Sequence, residues 1–274
     1  MSGFVQKSPE LLGAADAQRV LQQTAELFAA AERILFITGA GISADSGLPT
    51  YRGFGGLYDD RVTEEGYAIE EVLSGPMLAR HPALSWKYLA EIEARCRGAQ
   101  PNLAHRLLAA LEREKAMVCV LTQNVDGLHA AAGSRNLIEI HGSLHRLRCA
   151  DCGNGREVED YSGLQLPPEC PRCSGLLRPD VVLFGEQLEA SSVERLEHVL
   201  QGELDLVVSI GTTSVFPYIA GPMVWAARAG IPTVEINPGE SEVSSFARHR
   251  LAMGAATAMA ALWQLGHDGE LPAD

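Results

Sequence analysis

The chain has 274 residues, 46% of them hydrophobic and 21% charged, with 27 glycines and 14 prolines. That composition is ordinary for a globular protein and excludes a disordered chain, a collagen-like repeat and a coiled coil; the length suits two domains, or one large domain with insertions. Setting 22 Lys and Arg against 35 Asp and Glu leaves a net charge of −13, which repels nucleic acid and favours basic or neutral partners.

Taken in chain order, residues 8–32 read as a helix. Ser8 can cap it, Pro9 suits its first turn, and Leu12, Ala15, Val20, Leu27 and Ala31 keep helical spacing. The run 33–38 (RILFIT), stopped by Gly39, has the length and apolarity of a buried parallel strand. Residues 51–98 start as a Gly-rich loop (YRGFGG) and continue as helices. A helix follows over 102–115 with Asn102 as N-cap, then strands over 117–122 (MVCVLT) and 137–141 (LIEIH). Residues 146–179 hold four of the six cysteines and little apolar sequence. Beyond them come a helix over 191–201 capped by Ser191, a strand over 204–210, a helix over 218–229 and a strand over 233–237. Strands alternating with helices predict an α/β protein with a parallel sheet, into which 51–98 and 146–179 are inserted as parts of a smaller lobe. No window is apolar over the roughly 18 residues of a membrane span. The first twenty residues lack the charged start and apolar run of a signal peptide, so a cytoplasmic protein away from membranes is expected.

Cys149-x-x-Cys152 is followed, after 17 intervening residues, by Cys170-x-x-Cys173. Each pair turns back on itself and aims two thiolates at one point, and two such knuckles make a tetrahedral Zn²⁺ cage. A closed cage leaves no position for water, so the zinc is read as structural, folding a segment too small for its own core. The alternatives are a redox dithiol or four unrelated thiols. Zinc ribbons also bind nucleic acid, against which the net charge counts. Cys96 and Cys119 sit in apolar surroundings and read as buried small hydrophobes.

The first strand runs into Gly39-Ala40-Gly41-Ile42-Ser43-Ala44. Glycines at 39 and 41 permit a tight turn and close backbone approach to a diphosphate, with Ala44 where a third glycine is usual. Pro49 then stops any helix, and no acidic residue is clearly placed to hold a ribose. A plain strand-to-helix turn is the alternative.

The run GAGISADSGLPTYRG (39–53), then TQNVDGLH (122–129), IHGSL (140–144), the paired C-x-x-C, VVLFGE (181–186), GTTS (211–214) and EINPG (235–239) resembles the sirtuins, over about 30–260 and in the family's order. The resemblance implies a Rossmann-like NAD-binding domain from 1–50, 99–145 and 180–274, a cofactor loop and helical insertion over 51–98, and a zinc module over 146–179. It implies NAD as co-substrate, one structural Zn²⁺ held by Cys149, Cys152, Cys170 and Cys173, and acyl-lysine proteins as partners. Sirtuins cleave the nicotinamide–ribose bond and move an acyl group from lysine to ADP-ribose. The acyl oxygen attacks the anomeric carbon; a histidine then deprotonates a ribose hydroxyl, which attacks the resulting amidate. His141 matches that histidine, and an imidazole suits proton transfer near neutrality.

By the same resemblance, Gln123, Asn124 and Asp126 match the nicotinamide and ribose pocket, with Asn124 orienting ribose hydroxyls or a water and Asp126 accepting from the nicotinamide amide. Gly39, Ala40, Gly41, Ile42 and Ser43 match the phosphate turn, and Arg52 a phosphate fork. Gly211, Thr212 and Thr213 match a second ligand-facing turn, Asn237 the adenosine ribose site, and Ala256 a backbone contact to adenine. Val182, Phe184, Gly185 and Glu186 match the edge where substrate backbone adds as a strand. Tyr51 stands where the family has Phe, Thr213 where it has Ser, and Pro217 comes one residue early. The Tyr-x-x-Arg pair of succinyl-preferring members falls at Leu89 and Ile92, which bind no carboxylate, so neutral acyl groups are expected. Tyr88 lies one step off those positions. The other readings are an NAD-dependent protein mono-ADP-ribosyltransferase and a zinc-containing binding module without catalysis.

Overall fold

The computed structural model describes residues 14–50 and 62–267. Ser8, Pro9 and Leu12, as well as Tyr51 and Arg52, lie outside them. Helix α1 (Ala14–Ala30) lays Ala25 and Phe28 against strand β1 (Arg33–Thr38), five of whose six residues are buried. A 3-10 turn, Ala40–Ser46, follows β1. Two short helices, α2 (Ile69–Val72) and α3 (Gly75–Arg80), and a longer one, α4 (Pro82–Cys96), come next. Helix α5 (Leu103–Glu114) starts at Asn102, whose side chain accepts from the Ala104 amide at 3.0 Å as an N-cap should. Strand β2 (Met117–Thr122), helix α6 (Leu128–Ala131), and strands β3 (Leu137–Glu139), β4 (Gly142–Cys149), β5 (Gly155–Glu157) and β6 (Leu177–Val181) follow. The chain continues through α7 (Ala190–Gln201), β7 (Leu206–Ile210), α8 (Pro217–Ala229), β8 (Thr233–Ile236), β9 (His249–Leu251) and α9 (Ala255–Gly266).

Six parallel strands lie in the order β3-β2-β1-β7-β8-β9. Their chain order reverses between β1 and β7, the arrangement of a doubly wound Rossmann-like sheet, whose ligands bind at that reversal. Helices α1, α5 and α9 cover one face, α7 and α8 the other. The smaller lobe has an antiparallel sheet, β5-β4-β6, and a separate core. That core joins Trp86 and Leu89 of α4 to Leu147, Tyr161 and Leu177. Trp86 donates its indole N–H to the Leu177 carbonyl at 3.0 Å and packs edge-on to Tyr161.

Several boundaries differ from the sequence expectations. Helix α7 starts at Ala190 with Glu189 at its N-cap position, so Ser191 lies inside the first turn. Strand β3 ends at Glu139, because Ile140 and His141 make the turn into β4. That turn needs Gly142: its φ is +81°, and a Cβ there would sit 1.9 Å from the Asp180 carbonyl oxygen. Strand β7 starts two residues later than expected, since Leu204 packs into the core beneath it and Asp205 caps the amides of Glu32 and Arg33. The small-lobe sheet, β9 and α9 are additional elements.

Candidate active site

A cavity of about 710 Å³ opens at the carboxyl ends of β1 and β7 and extends to the small lobe. Its floor is two loops in backbone contact. The Gly41 amide donates to the Gly211 carbonyl at 2.8 Å, and the Gly39 amide to that of Ile210 at 3.1 Å. A Cβ on Gly41 would lie 2.6 Å from Gly211 Cα, and one on Gly39 2.7 Å from Thr212 Cβ. The glycines read as room for a diphosphate therefore first make room for the facing loop. Gln123 Nε2 donates to Thr212 Oγ1 at 2.8 Å and Asn237 Nδ2 to the Thr212 carbonyl at 3.1 Å, which ties the ends of β2, β7 and β8 together.

Asn124 is buried beside these loops. Its Nδ2 donates to the Gly39 carbonyl at 3.1 Å and to Ser43 Oγ at 3.2 Å, while its Oδ1 is buried with no partner among the described residues. An unpaired buried carbonyl in a residue lining a cavity is set to accept from a ligand hydroxyl or water. Ser43 lies beneath the floor and donates to Asp126 Oδ2 at 2.7 Å; Asp126 Oδ1 takes the Leu128 amide at 3.0 Å. Burial raises the Asp126 carboxyl above its ordinary range, partly opposed by those two bonds. Below them His105 and His129 meet edge to face, with His129 Nε2 2.9 Å from Thr38 Oγ1. Burial lowers His105 to about 4 and drives His129 down as well.

His141 sits in the β3–β4 turn, its Nδ1 3.2 Å from the Gln123 carbonyl and its Nε2 2.7 Å from the Tyr218 hydroxyl. Burial lowers its pKa, and the Gln123 carbonyl pulls it back up. Burial pushes the Tyr218 phenol up to about 12. Across the cavity, the Val182 amide donates to the His141 carbonyl at 2.9 Å. The Phe184 amide goes to Leu73, and that of Leu183 to Glu186 Oε2 at 2.9 Å. Glu186 is itself paired with Arg178 at 2.5 Å. The carbonyls of this segment are engaged as well: that of Val181 by Arg178 Nη2 at 2.8 Å, that of Leu183 by the Glu186 amide at 3.0 Å and that of Phe184 by the Gly75 amide at 3.2 Å. Leu73, Leu89, Ile92 and Leu144 line the small-lobe end of the cavity. Tyr88 instead turns into the lobe core and donates to Glu65 at 2.7 Å.

Of the residues singled out in the sequence, Gly39, Ala40, Gly41, Gln123, Asn124, His141, Val182, Phe184, Gly185, Glu186, Gly211, Thr212, Thr213 and Asn237 all line this one cavity. Ile42 is fully buried in the sheet core, Ser43 and Asp126 lie behind Asn124, and the Ala256 amide donates to Asp45 Oδ2 at 3.1 Å.

The sulfurs of Cys149, Cys152, Cys170 and Cys173 all lie within 4.8 Å of one another. Cys149 and Cys173 are 3.5 Å apart, Cys152 and Cys170 3.7 Å. Zn–S bonds of about 2.3 Å give tetrahedral edges of about 3.8 Å, so the donor set fits Zn²⁺. The Cys152 amide faces Cys149 Sγ at 3.5 Å and the Arg172 amide faces Cys170 Sγ at 3.4 Å, which favours thiolates. The Cys149 thiol is lowered to about 7, first of all by the Cys152 amide. None of the four lines the cavity, which agrees with a structural role.

Residues 39–217 match the Sir2 family. The chain belongs to that family. It is 50% identical over 232 residues to NAD-dependent protein deacylase 2 of Pseudomonas aeruginosa, covering 84% of this chain and 90% of the relative. Against NAD-dependent protein deacylase 1 of Archaeoglobus fulgidus it is 39% identical, covering 80% and 86%. A solved complex of a Sir2 homologue with NAD superposes with a TM-score of 0.81 at 36% identity, covering 90% of this chain and 94% of that one. For this Sir2-family chain, the cavity brings two further side chains to the site, Phe216 and Tyr218. The early Pro217 was their only trace in the sequence: it starts α8 and sets an aromatic on either side of itself. Outside the cavity lining, Asn102 ties the 3-10 turn through Nδ2 to the Ile42 carbonyl at 2.7 Å, besides capping α5.

Proposed function

We propose that this chain is an NAD-dependent protein lysine deacylase acting on neutral acyl groups. The observation that carries the reading is one cavity joining an unpaired Asn124 carbonyl and the His141 imidazole at the sheet reversal to an apolar pocket in the small lobe. When bound, NAD supplies a sugar whose bond to nicotinamide breaks and which takes up the acyl group. The 39–43 and 211–213 loops hold its phosphates, with Arg52 adding a charged fork and Asn237 holding the adenosine end, where the Ala256 amide is engaged by Asp45. Gln123 and Asn124 orient the reacting sugar, and Asp126 keeps Ser43 and hence Asn124 in place. His141 accepts the proton of a sugar hydroxyl; its lowered pKa keeps it neutral and able to do so at pH 7.

Val182, Phe184, Gly185 and Glu186 line the path of the acyl-lysine segment, and Leu89 and Ile92 close its far end with no group to meet a carboxylate. The net charge of −13 suits Lys-rich segments. Four thiols gathered for a metal suit the reducing cytoplasm. In the described residues no helix is long and apolar enough to cross a membrane.

The test follows NAD, nicotinamide and an acyl-peptide series together. One nicotinamide appears per acyl group lost, acetyl is turned over faster than succinyl, and His141→Ala abolishes acyl loss while the protein stays folded. Mass added to protein without acyl loss would instead establish ADP-ribosyl transfer, and no NAD consumption at all a binding module.

A further inference from the structure

The nitrogen assigned as the base does not face the cavity unaccompanied. His141 Nδ1 points at the Gln123 carbonyl, 3.2 Å away, and a carbonyl only accepts; Nδ1 therefore carries the hydrogen. In the neutral ring the lone pair is then on Nε2, and the Tyr218 hydroxyl 2.7 Å from it must be donating. The phenol has one proton, and it is committed to His141. Its oxygen still has lone pairs, and Tyr218 lines the cavity beside His141.

A substrate hydroxyl can reach Nε2 in two ways: the phenol swings aside, or it passes the proton on. The surroundings favour the second. Phe216 stacks on the Tyr218 ring with centroids 5.4 Å apart and planes 13° from parallel, and both rings meet the imidazole edge-on at 5.8 Å. Tyr218 also sits in the first turn of α8, directly after Pro217, where its backbone has little freedom.

We propose that Tyr218 is a proton relay: its oxygen accepts a hydrogen bond from a substrate hydroxyl while its own proton is held on His141 Nε2, and both protons shift in one direction. The substrate O–H bond breaks and a new Tyr218 O–H bond forms. The old Tyr218 O–H bond breaks and an Nε2–H bond forms. The electron pair stays on the substrate oxygen for its next bond, and the positive charge comes to rest on an imidazolium whose Nδ1–H faces the Gln123 carbonyl. The phenol ends protonated, as it began, which agrees with a group whose pKa is pushed up to about 12. This rests on the reading of His141 as base.

Tyr218→Phe keeps the stacked ring and removes only the oxygen. Nitrogen-15 NMR of the histidines in the protein without NAD gives a readout independent of turnover. In the wild type, Nδ1 is protonated and Nε2 is a hydrogen-bonded acceptor. In Y218F the Nε2 resonance moves to the value of an unbonded or water-bonded ring, and Nδ1 stays protonated. In kinetics, nicotinamide exchange in the presence of acyl-peptide needs no base and stays within about twofold. Acyl loss falls by about 10–100-fold, the usual range for losing a proton-transfer group. An unmoved Nε2 resonance, acyl loss within twofold of wild type, or equal falls in exchange and acyl loss would each overturn the relay. If wild-type protein removes no acyl group with NAD, the functional reading has failed and the relay with it. An active wild type with an equally active Y218F defeats the relay alone.

Discussion

Substituting alanine at Gly41 tests whether the floor of the site depends on two backbones touching. The added Cβ would lie 2.6 Å from Gly211 Cα, 2.8 Å from its carbonyl oxygen and 3.0 Å from its carbonyl carbon. Ordinary contact begins at 3.4 Å, so the nearest approach is about 0.8 Å short. All three atoms are backbone, and no rotamer change can clear them. The loops after β1 and β7 must part, and the 2.8 Å bond from the Gly41 amide to the Gly211 carbonyl spans the same gap. Overpacking of this kind costs about 1–3 kcal/mol, and a stretched hydrogen bond adds about 1 kcal/mol. We expect G41A to lower stability by about 2–4 kcal/mol in urea unfolding. Because both loops line the cavity, NAD affinity by calorimetry should fall by at least about tenfold. Gly266 in the last turn of α9 is the control: nothing lies within 4 Å of its Cβ position and it does not line the cavity, so G266A should change stability by no more than about 1 kcal/mol through helix propensity and leave NAD affinity alone. A G41A protein with wild-type stability and affinity would refute the reasoning, because the glycines would then not be there for each other.

Metal removal should act on the small lobe. Cys149 and Cys170 belong to the same core as Trp86, so chelation in denaturant-free buffer should unfold that lobe and red-shift the emission of Trp86 in a W225F/W263F background; a chelated protein with unchanged emission would place the cysteines outside the fold's support. Acid should act on the main sheet. His105 and His129 are held neutral by burial, so the unfolded chain binds protons near pH 6.5 that the native chain refuses, and stability present above that pH is lost as pH falls toward about 4. For His105 alone the full loss is ~3 kcal/mol, of which ~2 kcal/mol should appear between pH 7 and pH 5. Asp126, raised by burial, works in the opposite direction. Urea midpoints across this range should show a smaller pH dependence in H105Q than in the wild type, and an identical dependence would show that His105 is not the group titrating.

What was legible in the sequence follows from how far apart the interacting residues lie. Strands β1 and β2 were delimited to the residue because each is a six-residue apolar run buried in the middle of the sheet. The zinc ligands declared themselves by spacing, since each knuckle is local. The cavity-lining residues that were found sit on the turns at strand ends, where the sequence of a turn and its backbone shape are bound together. The small lobe was harder. Its core joins α4 to β6 across most of a hundred residues, and its sheet carries an irregularity between Ser143 and Leu147 that breaks the alternation a strand would show. Strand β9 is three residues long, and α9 has no side-chain cap to announce it.

The roles were less legible than the positions, and for a physical reason. The phosphate-turn motif reports that residues 39 and 41 have no side chain, but only the facing loop shows that Gly211 requires this as much as any ligand does. Asp126 was read as accepting from a nicotinamide amide, and its carboxylate also accepts from Ser43, 83 positions away, a bond the motif does not display. His141 was matched to the histidine that takes up a ribose proton, and its bond to a phenol 77 positions away is not displayed by the motif. A side chain with two hydrogen-bonding ends can serve a ligand with one only after the protein has claimed the other. Which end is claimed depends on residues brought in by a different strand. The Oδ1 of Asn124 is the case where that reasoning points outward: Nδ2 is already answered from within, Oδ1 has no partner among the described residues, and it is left to accept from a water or a ligand hydroxyl.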